Sequence, residues 1–321
     1  MKLYPMQMAP ALKETVWGGG TLCSFYGKET SLTRLGESWE LSAIPGAESR
    51  VVNGAYRGMT LNSLAETYGR VFWGERCKGE RFPILVKLIN AAAPLSVQVH
   101  PSDERADAAL GEQGKAEMWY VLDAEPDAYL YLGFSAALER DRVLKGCEDG
   151  SILSLLNRVK VSRGDVFYIA PGTVHAIGKG ITLAEIQQSS DTTFRIYDYQ
   201  RLDANGQPRA LHWERAAAVM DYSPLIPENC RANATVQFPA FTLQELYSCC
   251  YFRSYKLSVK TQAPLFCDST SFRSLLCVEG SGMILHDGNA YSIAKGQSFF
   301  LPADLGNYSI SGECTVLLSW V

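Results

Sequence analysis

Three short segments of the chain carry side chains that bind cations. In Pro94-Leu95-Ser96-Val97-Gln98-Val99-His100-Pro101 the alternation places Ser96, Gln98 and His100 on one strand face and Leu95, Val97 and Val99 on the other. If the polar face points into a barrel, burying Gln98 beside His100 is costly unless strong partners are found, and a metal is one such partner. A face wetted by solvent would explain the same alternation. In Lys115-Ala116-Glu117-Met118-Trp119-Tyr120-Val121-Leu122 a carboxylate heads a strongly apolar strand, where it needs a cation. In Pro171-Gly172-Thr173-Val174-His175 a histidine follows a tight turn, as a ligand held on a rigid rim should. A core histidine bonded to backbone would look alike. Together Gln98, His100, Glu117 and His175 form a set of N and O donors drawn from several strands, and zinc, one per chain, suits that set best. The donors carry one formal negative charge, so a bound Zn²⁺ leaves the site net positive and able to stabilise an oxyanion.

Such donors need strands to hold them. Period-2 alternation broken by Gly, Pro, Asn and Asp recurs over residues 95–100, 117–122, 129–132, 164–170, 181–187 and 194–199, the pattern of short antiparallel strands in sandwiches or barrels. Helical periodicity is confined chiefly to residues 61–68, 140–145, 152–158 and 213–220. The stretch Ser162-Arg163-Gly164-Asp165-Val166-Phe167-Tyr168-Ile169-Ala170-Pro171 is echoed by Ala294-Lys295-Gly296-Gln297-Ser298-Phe299-Phe300-Leu301-Pro302. Each copy has a glycine turn, a β run and a proline that closes the strand. Only the first copy leads to a metal-capable side chain, His175, where the second reaches Gly306. With a proline-rich break at residues 224–233, this predicts two units, 1–232 carrying the site and 233–321 without metal ligands.

The 321 residues, 47% hydrophobic and 20% charged, are enough for a large core. A formal net charge of −4 offers no basic surplus for nucleic acid. No stretch approaches the roughly 18 apolar residues of a membrane span, and the N-terminus does not read as a secretory signal. A soluble, cytoplasmic protein is expected, monomer or homodimer. Nine cysteines, at 23, 77, 147, 230, 249, 250, 267, 277 and 314, form no Cys-x-x-Cys pair and read as reduced thiols.

Several motifs add to this reading: Gln98-Val99-His100-Pro101, Lys115-Ala116-Glu117-Met118, Pro171-Gly172-Thr173-Val174-His175 and Ser190-Asp191-Thr192-Thr193-Phe194-Arg195, with Val16-Trp17-Gly18-Gly19 and Gly36-Glu37-Ser38-Trp39-Glu40 upstream. In kind and order they resemble the type I mannose-6-phosphate isomerases, in their short bacterial form. The resemblance runs from about residue 15 to 220 and more loosely to the C-terminus. It implies a mainly β fold of two cupin-like jelly-roll barrels with a few helices in or beside the first. It also implies one zinc on Gln98, His100, Glu117 and His175, and a catalytic arginine at Arg195. The expected reaction interconverts mannose 6-phosphate and fructose 6-phosphate by proton transfer between C1 and C2. Ser96, Lys115 and Arg195 are candidates for holding the sugar phosphate. For the base, Glu185, Lys115 and a water on the metal stand open. An ion pair of Arg195 with Asp198 is the plainer reading of that arginine. The rival functions are a cupin Fe(II) dioxygenase, against which a fourth ligand from Gln98 argues, and a sugar-binding or regulatory cupin without turnover.

Overall fold

The run Ile84-Leu85-Val86-Lys87-Leu88-Ile89 shows no alternation, and the strand it forms, Ile84–Ala91, is buried at every position. A strand apolar on both faces belongs inside a sheet covered on both sides. In the computed structural model, which describes residues 3–79, 81–107, 111–203, 206–227 and 234–321, that is where it lies. It is part of a six-stranded antiparallel sheet in the order Val166–Ile169, Glu117–Ala124, Ile181–Gln188, Ile84–Ala91, Leu35–Leu41, Ala11–Gly19.

One face of this sheet packs on a five-stranded sheet ordered Phe194–Tyr197, Val97–Val99, His175–Ile177, Tyr129–Phe134, Leu156–Lys160. Their shared core draws Ile89, Trp119, Val121, Phe167 and Leu183 from the first and Leu130, Leu132 and Ile177 from the second. The other face, through Val86, Leu88, Met118 and Ile186, packs with Phe72, Phe82, Phe272 and Phe300. Phe272 and Phe300 belong to the region of a ten-stranded sheet built mostly from residues 234–321. There the period of 2 holds: Phe299 faces that sheet's own core while Phe300 faces the junction.

The protein is thus mainly β with few helices, as expected. The helices at Leu61–Tyr68, Arg140–Asp149 and Trp213–Val219 match their periodicity, the first opened by a capping box between Thr60 and Ser63. A short helix at Thr21–Tyr26 was not anticipated. The helix expected over 152–158 is a correction. Gly150, at φ 80°, ends the preceding helix, a single 3₁₀ turn spans Ser151–Ser154, and Leu156–Lys160 is a strand paired with Tyr129–Phe134. Asn157 fixes that choice, because its side-chain amide donates to the carbonyls of Leu132, Phe134 and Leu225. The echoed glycines behave alike, Gly164 at φ 92° and Gly296 at φ 85°, each leading into a strand. The expected division between 232 and 233, and Cys230, lie outside the described residues. The described cysteines are free thiols. No helix among the described residues is long and apolar enough to cross a membrane.

Two strands from the N-terminal part, Met6–Ala9 and Arg50–Val51, complete the ten-stranded sheet, so the two parts are interlocked. A buried ion pair fastens the same junction. Lys28 Nζ lies 2.6 Å from Glu40 Oε1 and donates to the Gly296 carbonyl at 2.5 Å. Ser38 Oγ donates to Glu40 Oε1 and Ser298 Oγ to Glu40 Oε2, which completes the carboxylate's partners. Gly296 leaves no room for a Cβ, which would meet the Tyr26 carbonyl. Breaking one side of such a pair strands a buried charge. Lys28→Met is therefore expected to cost about 3–5 kcal/mol. Lys160→Met, which cuts a solvent-exposed pair with Asp127, leaves the unfolding midpoint in place. Urea denaturation of both variants checks this, and equal midpoints would show that the buried pair contributes nothing.

Candidate metal centre

Three neighbouring strands of the five-stranded sheet set the first part of the site in register. Gln98 pairs directly with His175 on one side and with Arg195 on the other, so the three residues form one row. Ser96 and His100 are buried and Gln98 is half-buried, so the polar face predicted for this strand turns inward, away from solvent. From the opposite sheet comes Glu117, at the first position of its strand and fully buried.

His100, Glu117 and His175 converge with ligand atoms within 4.8 Å of one another. Glu117 Oε1 lies 3.3 Å from His175 Nε2, and Glu117 Oε2 lies 3.6 Å from His100 Nε2. The ring orientations are set from behind. His100 Nδ1 meets the Thr192 carbonyl at 2.8 Å and His175 Nδ1 meets the Thr173 carbonyl at 2.9 Å. A carbonyl only accepts, so each Nδ1 carries its proton and each Nε2 presents a lone pair, the tautomer a metal requires. Burial holds both rings neutral: His175 is lowered to about 4, and His100, also facing Lys115 and His175, falls well below the usual histidine range. Burial pushes the Glu117 carboxyl up to about 7, against the pull of Lys115. Neither Glu117 oxygen has an aligned hydrogen bond. Lone pairs thus face lone pairs across about 3.5 Å, and the repulsion is offset here by the Lys115 ammonium and the Gln98 amide, each 3.3 Å from an imidazole Nε2. The donor set fits a divalent metal on those grounds.

Lys115, read from sequence either as a functional lysine or as an exposed turn, is buried, with Nζ 3.2 Å from Glu117 Oε2 and 3.3 Å from His100 Nε2. It supplies positive charge at the edge of the cage. Gln98 faces the same point, its Nε2 3.3 Å from His175 Nε2. A half-turn of that amide would present its oxygen instead.

A cavity of about 340 Å³ opens beside the cage, lined by Ser96, Lys115, Glu185 and Arg195, every predicted substrate or catalytic residue, and by Gln98, expected as a metal ligand. Arg195 Nε donates to Ser96 Oγ at 3.3 Å and its NH1 donates to the Ala210 carbonyl at 2.9 Å. Asp198 is bound by Arg201 and Arg209, and no ion pair joins it to Arg195 among the described residues, so the structural reading of that arginine does not hold. Of the remaining histidines, His212 accepts the Arg195 backbone N–H, and His286 sits on the surface.

The same cavity is lined by Glu37, Lys87, Asp191 and Arg209, which motif spacing did not single out for chemistry. Lys87 had a visible signal, a lone charge inside an apolar strand. It lies 3.1 Å from Glu185 Oε1 and 3.4 Å from Glu37 Oε2. Burial alone would lower it, but those two carboxylates outweigh burial and raise it above the usual lysine value. Burial likewise works to raise Glu185, yet Lys87, Lys115 and the Trp119 N–H together hold it at about 2.

Known proteins resemble the chain along its whole length. Residues 6–130 match the model of the phosphomannose isomerase type I catalytic domain, and residues 242–321 match that of the mannose-6-phosphate isomerase cupin domain. The chain is 39% identical over 319 residues to the mannose-6-phosphate isomerase ManA of Bacillus subtilis, covering 98% of this chain and 99% of that one. It is 32% identical over 315 residues to the mannose-6-phosphate isomerase of Streptococcus mutans, covering 98% of each. The crystal structure of the Bacillus subtilis mannose 6-phosphate isomerase superposes with a TM-score of 0.92 at 34% identity, over 99% of both chains. The chain belongs to the type I mannose-6-phosphate isomerase family.

Proposed function

We propose that this protein interconverts mannose 6-phosphate and fructose 6-phosphate in the cytoplasm, with one zinc ion per chain held by Gln98, His100, Glu117 and His175. The observation that carries the reading is the cage itself. Two Nε2 lone pairs and two carboxylate oxygens point at one dry spot beside a cavity of small-molecule size. The names of the relatives supply the substrate. Two cupin-like barrels, one bearing the site and one shaping its cleft, belong to the same reading, supported by the echoed glycine–strand–proline units and the cupin-domain match at 242–321.

When bound, zinc supplies a Lewis acid that draws electron density from the C1 and C2 oxygens of the sugar. The remaining tasks fall to side chains. Moving a proton between C1 and C2 through an enediolate needs a proton carrier, a counter-charge and a grip on the substrate. Lys115 stands at the edge of the cage and lines the cavity, and we assign it the C1–C2 proton, taken from one carbon by the neutral amine and returned to the other by the ammonium this forms. Glu185, held ionised by Lys87 and Trp119, is a weak base and a strong hydrogen-bond acceptor, suited to orienting a sugar hydroxyl. Arg195, permanently charged and braced by Ser96, offsets negative charge on the enediolate or the phosphate.

Coupled turnover of mannose 6-phosphate is expected to vanish on chelation and to return with zinc. Glu117→Ala should fall about a thousandfold or more and not respond to zinc. Absence of turnover by folded, zinc-loaded protein would sink the substrate assignment. Lys115→Met separates binding from chemistry. It removes a cation from beside the cage, so it should bind zinc at least as tightly as the wild type while kcat falls about 10²- to 10⁴-fold. Calorimetric zinc titration beside the kinetics reads both, and loss of zinc in Lys115→Met would show that the lysine builds the cage.

A further inference from the structure

One fully buried side chain touches both halves of the site without entering it. The Trp119 indole N–H donates to Glu185 Oε2 at 2.9 Å. Its ring also stands edge-on to the His175 imidazole, with centroids 5.4 Å apart and planes at 75°. The sheet register explains why one residue reaches both. Trp119 pairs directly with Glu185 on the neighbouring strand, and it lies two residues beyond Glu117 on the same face.

A carboxylate turns easily about its terminal torsion, which is broad and twofold. Left with Lys87 alone, Glu185 could present either oxygen, or both, to the ammonium. The indole N–H removes that freedom by holding Oε2. The other oxygen, Oε1, lies 3.1 Å from Lys87 Nζ, and since a carboxylate oxygen accepts more than one hydrogen bond it keeps acceptor capacity on a residue that lines the cavity. The second contact acts on the metal side. An aromatic edge set against a neutral imidazole restricts its tilt, and the Thr173 carbonyl fixes the ring at Nδ1. Together they leave His175 Nε2 one direction.

We propose that Trp119 is a positioning residue with two separable arms. Its N–H sets the Glu185 carboxylate that receives the sugar, and its ring holds the His175 imidazole for the metal. The inference rests on the sugar-phosphate reading above, in which Trp119 serves only to keep Glu185 ionised, and adds a positioning role for it.

Trp119→Phe cuts only the first arm, keeping the ring and deleting the donor. Trp119→Leu cuts both, and Trp119→Met replaces it if the leucine variant does not fold. In the full-length protein loaded with zinc, Trp119→Phe should keep wild-type zinc affinity and a KM close to wild type. Its kcat should fall about tenfold to a hundredfold, the worth of one charge-assisted hydrogen bond. Its crystal structure should show the Glu185 carboxylate turned toward Lys87. The aliphatic variant should in addition lose about tenfold to a hundredfold in zinc affinity, as outer-sphere partners do. A wild-type kcat or an unmoved carboxylate in Trp119→Phe overturns the first arm. Unchanged zinc affinity in the aliphatic variant overturns the second. Failure of the function reading is told apart by the wild-type protein: if it turns over no sugar phosphate, the carboxylate orientation and the zinc affinities still decide both arms.

Discussion

Two imidazole nitrogens and a carboxylate that present lone pairs to one buried point cannot rest there without positive charge. Around this constraint the rest of the site is arranged. The backbone carbonyls of Thr173 and Thr192 take the Nδ1 protons and so deny the rings the option of donating inward. Burial denies them the option of charging. Lys115 supplies positive charge from the rim, yet its ammonium can occupy only one side of the cage. A divalent ion would answer the two imidazoles and the carboxylate at once, and the hydrogen bonds at each Nδ1 keep those donors turned toward it.

A second polar system depends on sheet register. Across the six-stranded sheet one row of paired residues runs Phe167, Trp119, Glu185, Lys87, Trp39. Within it the Trp119 N–H bonds Glu185, and the Trp39 N–H bonds Glu37, so Lys87 lies between two carboxylates each tied to an indole. A slip of one residue would send every member of the row to the opposite face. That face packs on Phe72, Phe82 and Phe300, where a charge would find no partner. The charged row therefore works as a register pin as well as a wall of the cavity, and the two roles reinforce each other.

What the sequence made legible follows from the same physics. Gln98 and His100 stood out because they alternate with the valines of an apolar strand, His175 because it follows a tight turn, and Glu117 because it breaks into an apolar run where an unpaired polar group is expensive. The structure brings them together. Lys87 broke its pattern in the same way, but its partners come from strands whose pairing no local spacing announces. Asp191 and Arg209 lie in polar loops, where another charged residue breaks no pattern. Residues 152–158 read as helical because Ile152, Leu155 and Leu156 keep the spacing. A glycine at positive φ and three backbone bonds from Asn157 override that spacing. Arg195 was separable from Asp198 only in space, since the carboxylate's partners are Arg201 and Arg209.

The ten-stranded sheet bears on the chemistry although, among the described residues, the clustered His100, Glu117 and His175 lie outside it. The strand carrying Lys87 is buried on both faces, and one of those faces is covered at the junction with that sheet. Take the cover away and Val86, Leu88, Met118 and Ile186 meet water, on the same strands that hold Lys87, Glu117 and Glu185. The N-terminal strand Met6–Ala9, paired with Ser298–Leu301, and the Lys28–Glu40 pair against Gly296 make that separation costly. A site whose donors must stay dry and in register thus needs a second body behind its back wall. The interlocking of the two parts of the chain is the form that requirement takes here.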